Sequence, residues 1–427
     1  MAASPPSRPE ELPEPDTSSP TYRILSNRTI AMCTAGLIIF AGLTCWLLFQ
    51  LYGHGTPSDQ ARLEGVRTVG TIVLGAGGAV ALLLTARRQQ TAERDLAAKR
   101  FELALREKAN DDIKYDAAER RITELYLKAV EQLGSDKAPV RLAGLYALER
   151  LAQDNEPQRQ TILNVISAYL RMPYGLPGAF PEMETGSDTR REQQLGLQER
   201  EVRITAQRII TEHLNPDGAP ERFWQEIDLD LNNATLIDFS LRGCQIRRSN
   251  FSRTDFTGEA LFLGVSFTEE ARFDGATFEN AWFTDSNFTG SVRFDRANFT
   301  GEARFENTSF AGNVTFREST FLSEARFDRS IFTGSTVFSK ANFSRNANFS
   351  DASFIEDAWL PGVAFIQDAY FKGAKFSRDA WFNQATFSGN TTFENASFSG
   401  DIRFEDATLD GTPYEPPELN PRPLDPD

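Results

Sequence analysis

The sequence predicts a mixed chain: two apolar helices, then an α-helical segment, then a C-terminal domain of stacked β-coils. Three observations carry this prediction. Phenylalanine recurs at alternating steps of five and six residues between Phe251 and Phe404. Two runs without a charged residue stand near the N-terminus, at 29–53 and 68–86. Amphipathic segments with short connectors lie between these regions. A chain of 427 residues is also long enough for several domains.

The phenylalanine period excludes a helix and a flat strand as its cause. Helical faces repeat every 3.6 residues and strand faces every two, so neither gives steps of five and six. A small or β-branched residue stands two positions before each Phe, as in Ala297 and Thr308. A fixed period of this kind predicts a solenoid. Between Phe273 and Phe288 every step is five, which predicts a bulge or a changed corner. The predicted core ladder contains Phe294, Phe299, Phe305, Phe310, Phe316, Phe321, Phe327, Phe332, Phe338 and Phe343.

Upstream of Phe251 the step is a plain five, from Leu231 through Leu241. The whole pattern resembles that of the pentapeptide-repeat family, in a membrane-anchored bacterial type with Phe-centred repeats. The resemblance covers 227–410 and implies a right-handed quadrilateral parallel β-helix. It implies that the centre residue and the small residue point inward and that the other three face water. Four faces with steps of five and six give coils of 22 residues, and therefore about eight coils.

The two uncharged runs predict a transmembrane helical hairpin at 29–86, with helices at about 29–53 and 66–86. Both runs are long enough to cross ~30 Å of hydrocarbon. The alternative is a pair of core helices inside a globular domain. Lysine and arginine are denser outside the hairpin than in its connector. This bias predicts a multi-pass protein of the bacterial inner membrane whose termini and β-helix are cytoplasmic, with the lipid bilayer as a partner.

Small residues recur every four positions on one face of the second run, at Thr71, Gly75 and Ala79. Such spacing permits close helix packing, either against the first run or in a homo-oligomer.

Composition predicts the nature of the segments outside the hairpin and the repeats. They are a disordered Pro-rich tail (1–28), a charged helical stalk (87–112), a helical domain (113–226) with a mobile loop (173–198), and a second disordered Pro-rich tail (411–427).

The helical domain contains three amphipathic segments, Ile122–Leu133, Val140–Ala152 and Ile162–Leu170. Val140-Arg141 and Val202-Arg203, each followed by apolar residues at helical spacing, resemble the second helix of a HEAT-like repeat. We expect Phe223 and Trp224 to cover the N-terminal end of the β-helix, because an open coil exposes unpaired strand edges.

The sequence contains no constellation that predicts catalysis, a cofactor or a metal site. Phosphate loops, dinucleotide loops, zinc-protease motifs and nucleophile elbows are all missing. Cys33 and Cys45 lie in the first apolar run, Cys244 stands at an inward repeat position, and none has zinc-site spacing. His54 and His213 are the only histidines and have no neighbouring motif. We therefore expect a protein that is not an enzyme.

One outward row of the β-helix is unusual in its residue types. Residues 22 positions apart return to the same face, so Arg293, Thr315, Val337, Trp359, Trp381 and Arg403 should form one row. The opposite row would hold Trp282, Arg304, Arg326, Asn348, Tyr370 and Thr392. Exposed tryptophan beside arginine is typical of interaction hot spots. The candidate partner-binding face is therefore Val337, Trp359, Trp381 and Arg403. The alternative is that these aromatic residues only stabilise the ladder by cross-strand stacking.

These observations favour a non-enzymatic, membrane-anchored scaffold that displays a β-helix to cytoplasmic protein partners. The net charge of −15 argues against nucleic-acid binding. The resemblance also implies an alternative, since some pentapeptide-repeat proteins imitate duplex DNA and bind topoisomerases. Residues 227–410 contain 26 acidic and 17 basic residues, which gives a net charge of −9. The basic residues interrupt the acidic surface that such imitation requires. A third hypothesis is an accessory subunit of a membrane channel or transporter.

Overall fold

The structure, a computed structural model, describes residues 27–52, 57–175 and 187–414. The chain divides into two compact units, Met1–Asp112 and Ile113–Asp427. The predicted tail 1–28 lies almost wholly outside the described residues. The helices are α1 (Asn27–Tyr52), α2 (Pro57–Leu133), α3 (Ala138–Asp154), α4 (Arg159–Leu170) and α5 (Ser187–Leu214), with short 3₁₀ turns at Glu156–Gln158 and Pro220–Arg222.

The predicted transmembrane hairpin at 29–86 is wrong. Among the helices of the described ranges, none has both the length and the apolar character that crossing a membrane requires. The prediction relied on the absence of charge, which is a weaker criterion than apolar length because Gly, Ala and Thr add little transfer free energy. This finding also overturns three predictions that depended on the hairpin. They are the multi-pass location in a bacterial inner membrane, the cytoplasmic orientation and the lipid bilayer as a partner.

Helix α2 is one uninterrupted element, although the sequence predicted a connector, a span, a stalk and a separate amphipathic helix. Residues 87–133 contain neither Gly nor Pro, so nothing between them stops a helix. Gly134 directly follows the last helical residue and its N–H donates to the carbonyl of Val130. On the predicted small face, a Cβ at Gly75 would meet nothing within 4 Å, and the hydroxyl of Thr71 donates to the carbonyl of Arg67. The proposed oligomer contact there stays a prediction.

Helices α3, α4 and α5 and the end of α2 share the hydrophobic core of the second unit. Gly144 of α3 approaches α2 so closely that a Cβ would lie 2.8 Å from the carbonyl oxygen of Ala129. Arg203 of α5 is buried and donates to the carbonyls of Leu170 and Met172 at the end of α4. The loop predicted at 173–198 is wrong from Ser187 onward, because α5 begins there; 176–186 lie outside the described residues.

Residues 229–413 form a parallel β-helix whose coils each contribute one short strand to each of four faces. Two long strands, Asp255–Leu261 and Thr277–Trp282, turn from face 2 onto face 3. Face 1 contains Leu229–Asp230, Ser249–Asn250, Ala271–Arg272, Val292–Arg293, Val314–Thr315, Thr336–Val337, Ala358–Trp359, Ala380–Trp381 and Ile402–Arg403. Face 2 contains Thr235–Ile237, Asn298–Phe299, Thr320–Phe321, Asn342–Phe343, Ala364–Phe365, Thr386–Phe387 and Thr408–Leu409. Face 3 contains Ala303–Arg304, Ala325–Arg326, Ala347–Asn348, Ala369–Tyr370 and Thr391–Thr392. Face 4 contains Gln245–Ile246, Ser266–Phe267, Asn287–Phe288, Ser309–Phe310, Ile331–Phe332, Ser353–Phe354, Lys375–Phe376 and Ser397–Phe398.

The phenylalanine register confirms the predicted coil. Val292 pairs with Val314, which is 22 residues later, and the fold has about eight coils. Rings of one face stack on the next coil, as Phe305 does on Phe327 with centroids 4.8 Å apart and planes 1° apart. Rings of neighbouring faces meet edge to face, as Phe316 and Phe327 do at 87°. Both arrangements suit the quadrupole of an aromatic ring, so the bore is filled by aromatic contacts in two directions.

The slip between Phe273 and Phe288 is a changed corner. Phe256 pairs with Phe278, but the next pair is Glu259 with Asn280, so the later coil has one residue fewer between faces 2 and 3. The step after Phe278 is therefore five instead of six.

Helices close the first coil of the β-helix through two glutamines. The side-chain amide of Gln160 accepts from the backbone N–H of Asp228 at 2.9 Å and donates to its carbonyl at 2.8 Å. Gln207 does the same with Ile237, at 3.0 and 2.8 Å. Each amide replaces the peptide that a preceding coil would supply, so the strand edge keeps its hydrogen bonds. Trp224 is fully buried in the same core.

The last coil is closed by a turn that the sequence had assigned to the disordered tail 411–427. Thr412–Pro413 pairs antiparallel with Thr408–Leu409. Tyr414 packs on Phe387 and Phe404 with ring centroids 5.1 Å away in both cases. The tail prediction is therefore wrong for 411–414, and 415–427 lie outside the described residues.

Candidate interaction surface

The strands of face 1 align their outward residues in one row, which we name the Trp row: Arg293, Thr315, Val337, Trp359, Trp381 and Arg403. Strand alternation decides the orientation. Ala358 is fully buried, and the next residue, Trp359, points outward with 37% of its surface exposed. The pairing register thus brings together all four residues of the predicted partner-binding face.

The two tryptophans form the centre of this row. Their ring centroids lie 3.3 Å apart, and their planes are tilted by 40°. Val337 and Trp381 are half-buried on either side of Trp359. The pair is held by the backbone ladder of a fully packed β-helix, so it presents a fixed aromatic surface with little side-chain entropy left to lose on binding.

Sequence reasoning missed two isoleucines on the neighbouring face 4. Ile331 is 48% exposed and Ile355 is 38% exposed. Ile331 precedes Phe332 in the coil of Val337, and Ile355 follows Phe354 in the coil of Trp359. Ser, Thr, Asn or Ala fills these two positions in most coils. That departure from the repeat was the available signal. Ile355 follows Phe354 and lies on the side of face 4 that adjoins face 1, whereas Ile331 lies within the strand of face 4. Val337, Trp359, Trp381 and Ile355 therefore form an apolar zone over consecutive coils.

Charged groups bound this apolar zone. At one end Arg403 lies 3.8 Å from Asp401, and beside the tryptophans Arg378 lies 3.2 Å from Glu356. At the other end of the row Arg293 lies 2.9 Å from Asp274. Burial raises the pKa of Asp274 above its ordinary value, although the neighbouring Arg293 opposes the shift. Apolar residues inside a polar rim are the composition of a protein-binding patch.

The opposite row, which we name the Arg row, differs in that its side chains are engaged locally. It contains Trp282, Arg304, Arg326, Asn348, Tyr370 and Thr392. The guanidinium of Arg304 covers the ring of Trp282 at 4.8 Å and pairs with Glu302 at 2.9 Å. The hydroxyl of Tyr370 donates to Asp368 at 2.8 Å, which raises the pKa of that tyrosine. This row therefore offers a matched control surface.

Two of the side chains singled out in the sequence, His213 and Cys244, are buried in the packed interior. His213 is fully buried and stacks on Trp224 at 4.0 Å. Its Nε2 lies 2.9 Å from a carboxylate oxygen of Glu149, and its Nδ1 lies 2.7 Å from the carbonyl of Arg222. The hydrogen bond from His213 lowers the pKa of Glu149 below its ordinary value. These contacts join α3, α5 and the entry to the β-helix.

Cys244 is buried, and burial raises its pKa to about 12, so its thiol stays protonated. Cys45 is exposed on α1. His54 and the side chain of Cys33 fall outside what the structure describes. Within the described ranges, no group of three or more His, Cys, Asp or Glu residues could hold a metal ion.

Comparison with known families decides the nature of the β-helix. The family model for pentapeptide repeats, nine copies long, matches residues 241–287, 251–298, 283–331, 327–375 and 371–413. The chain is a pentapeptide-repeat protein. The pentapeptide repeats thus account for most of the β-helix, including every residue of the Trp row.

One solved structure that matches is that of a trypsin-treated variant of QnrB1, a plasmid-mediated fluoroquinolone resistance protein. It is 16% identical to this pentapeptide-repeat protein, and the match covers 43% of this chain and 92% of that chain with a TM-score of 0.19. No curated protein matches the chain.

Proposed function

We propose that this pentapeptide-repeat protein is a non-enzymatic interaction scaffold whose β-helix binds a protein partner through the Trp row. The exposed Trp359–Trp381 pair carries the proposal. It follows Val337 in the row, Ile355 lies on the side of face 4 that adjoins face 1, and the Arg378–Glu356 ion pair borders this zone. Aromatic residues at the centre of a polar rim supply most of the binding energy in protein interfaces.

Ladder packing alone is a poor explanation for this composition. Cross-strand stacking contributes roughly 0.2–1 kcal/mol per pair, and the buried Phe stacks already run the length of the β-helix. Exposed Ile355 adds no stacking at all, yet it occurs in the coil of Trp359 on the side of face 4 that adjoins face 1. A docking surface accounts for both residue types.

Proximity labelling in living cells tests the proposal, with the labelling enzyme fused after Asp427. We compare the wild-type chain, the double variant Trp359→Ser/Trp381→Ser, and the control variant Tyr370→Ser in the Arg row. The proposal expects a discrete set of labelled proteins that the double variant loses and the control keeps. Identical labelling by all three chains, at equal abundance, would assign the tryptophans to ladder packing.

DNA mimicry is the second candidate, but the charge arrangement favours it less. On face 2 the outward residues directly before and after each Phe carry no charge from Asn298 to Ser388, so the centre of that face lacks the row of negative charge of a duplex. Elsewhere carboxylates pair with arginine, as Asp228 does with Arg247 and Arg248. Burial opposes ionisation of Asp228, but these hydrogen bonds outweigh it and lower its pKa. A gyrase supercoiling assay tests this candidate. Inhibition by the added chain that is unaffected by Trp359→Ser/Trp381→Ser would favour mimicry.

The hypothesis of a channel accessory subunit depended on the transmembrane hairpin and is not retained.

A further inference from the structure

The chain leaves the β-helix close to the tryptophan pair. Trp381 pairs with Arg403 in the last strand of face 1, so it lies one coil from the end, and Trp359 lies two coils from it. At ~4.8 Å per coil, Trp359 is roughly 10 Å from the last layer. Tyr414, the last described residue, packs on Phe387 and Phe404 at that same end. Residues 415–427 therefore start within a short distance of the Trp row.

The sequence that starts there has the composition of a ligand for exposed aromatic residues. Residues 415–427 read EPPELNPRPLDPD, with five prolines in thirteen residues. Proline-rich sequences favour polyproline II, which rises ~3.1 Å per residue, so thirteen residues reach roughly 40 Å. That reach exceeds the distance to Trp359 with length to spare. Polyproline II segments bind to surfaces lined by tryptophan and tyrosine, and their stiffness lowers the entropy lost on docking.

We propose that residues 415–427 dock on Trp359 and Trp381 and compete there with the protein partner. The inference rests on the proposed function of the Trp row and adds a regulator to it. Because the segment is tethered, its effective concentration at the row is on the order of millimolar, so a weak contact suffices to occupy it. A partner must then displace the segment before it binds.

Electrostatics sets the character of this contact. Residues 415–427 contain four acidic residues and one arginine, and residues 356–410, which include both tryptophans, contain nine acidic and four basic residues. The two regions carry charge of the same sign, so the contact is apolar and works against a repulsion. Salt screens that repulsion, with a Debye length of ~10 Å at 0.1 M. The affinity of docking therefore rises as salt is added. An acidic segment that bound through ion pairs would show the opposite salt dependence.

Fluorine NMR of the chain labelled with 5-fluorotryptophan tests the proposal directly. The chain contains five tryptophans, and single Trp→Phe variants assign the signals. We compare the full chain with a chain that ends at Tyr414. Removal of 415–427 is expected to shift the signals of Trp359 and Trp381 only. Trp282 in the Arg row and the buried Trp224 are internal controls on the same molecule.

A synthetic peptide of residues 415–427, added to the chain that ends at Tyr414, is expected to restore the original signals. A peptide with all five prolines replaced by alanine is expected to bind at least about five-fold more weakly. Raising NaCl from ~50 to ~500 mM is expected to tighten the native peptide. Unchanged signals after truncation, equal binding of both peptides, or shifts that depend on protein concentration would each overturn docking within one chain.

The outcomes separate this inference from the proposed function. If truncation leaves the fluorine signals unchanged while Trp359→Ser/Trp381→Ser still abolishes partner labelling, the tail inference fails and the scaffold stands. If the signals shift but the double variant keeps its labelled partners, the segment docks and the scaffold proposal fails. Increased partner labelling by the chain that ends at Tyr414 would support both.

Discussion

Replacement of Phe327 by alanine is expected to be among the most destabilising single changes in the β-helix. Phe327 is fully buried between Phe305 and Phe349, each with ring centroids 4.8 Å away. Phe316 and Phe338 meet its edges at 5.5 Å. Truncation removes most of a buried aromatic side chain and leaves a cavity that a continuous ladder cannot close. The expected cost is about 3–5 kcal/mol in the free energy of unfolding.

Phe327→Leu is the matched control, because the chain already contains such a change. Leu360 occupies the equivalent position of face 1, two coils after Phe316, and is fully buried. Its presence shows that leucine fits a coil between two phenylalanines, so Phe327→Leu is expected to cost less than about 1.5 kcal/mol. Phe404→Ala in the last coil should also cost less than Phe327→Ala, since Phe404 is only partly buried.

Urea unfolding followed by circular dichroism measures these differences, and hydrogen exchange of the coil amides locates them. Hydrogen exchange is needed because each coil contacts only its neighbours, so a defect in a central coil can cause local opening that global unfolding does not locate. A cost below about 1 kcal/mol for Phe327→Ala, or a cost equal to that of Phe404→Ala, would refute the view that the central aromatic stack holds the coils together.

Three further predictions test other parts of the fold. Gly312→Ala should lower the free energy of unfolding at least about twice as much as Gly362→Ala, because the new Cβ at Gly312 would lie 2.5 Å from backbone atoms. At Gly362 the only penalty is the positive φ of 64°, which costs an alanine about 1 kcal/mol. Urea unfolding compares the two variants. Gln207→Ala should cost roughly 2–4 kcal/mol and speed amide exchange in the first coil, because it leaves a buried N–H and C=O unpaired. Glu149→Gln should destabilise the chain at pH 7 more than at pH 3. The lowered pKa of Glu149 contributes stability above about 4.5 that is lost as pH falls through its folded value, so an equal cost at both pH values would contradict the His213 contact.

The coil geometry could be predicted because its cause repeats. Each Phe is preceded by a small inward residue, and this period alone is enough to place Trp359 beside Trp381. The caps could not be predicted in the same way. Gln207 closes the first coil through one amide, and a single glutamine in an amphipathic helix has no sequence signal that distinguishes it from a solvent-facing one.

The errors have physical causes as well. Absence of charge in 29–86 does not imply an apolar helix long enough to cross a membrane, and the helices of the described residues do not reach that length and apolar character. Proline content predicts disorder throughout 411–427, but the aromatic ring of Tyr414 packs on the open end of the Phe stack. Ile355 is exposed at an outward repeat position, so it departs from the repeat pattern as clearly as the tryptophans do.

Photo-crosslinking from the Trp row tests the central claim most directly. A Val337→p-benzoylphenylalanine chain places the reactive group next to Trp359, and Asn348→p-benzoylphenylalanine places it in the Arg row on the opposite face. The account predicts a discrete protein adduct from position 337 on irradiation in cells and none of the same mass from position 348. Equal adducts from both positions, or an adduct from position 348 alone, would contradict the assignment of the Trp row as the docking surface.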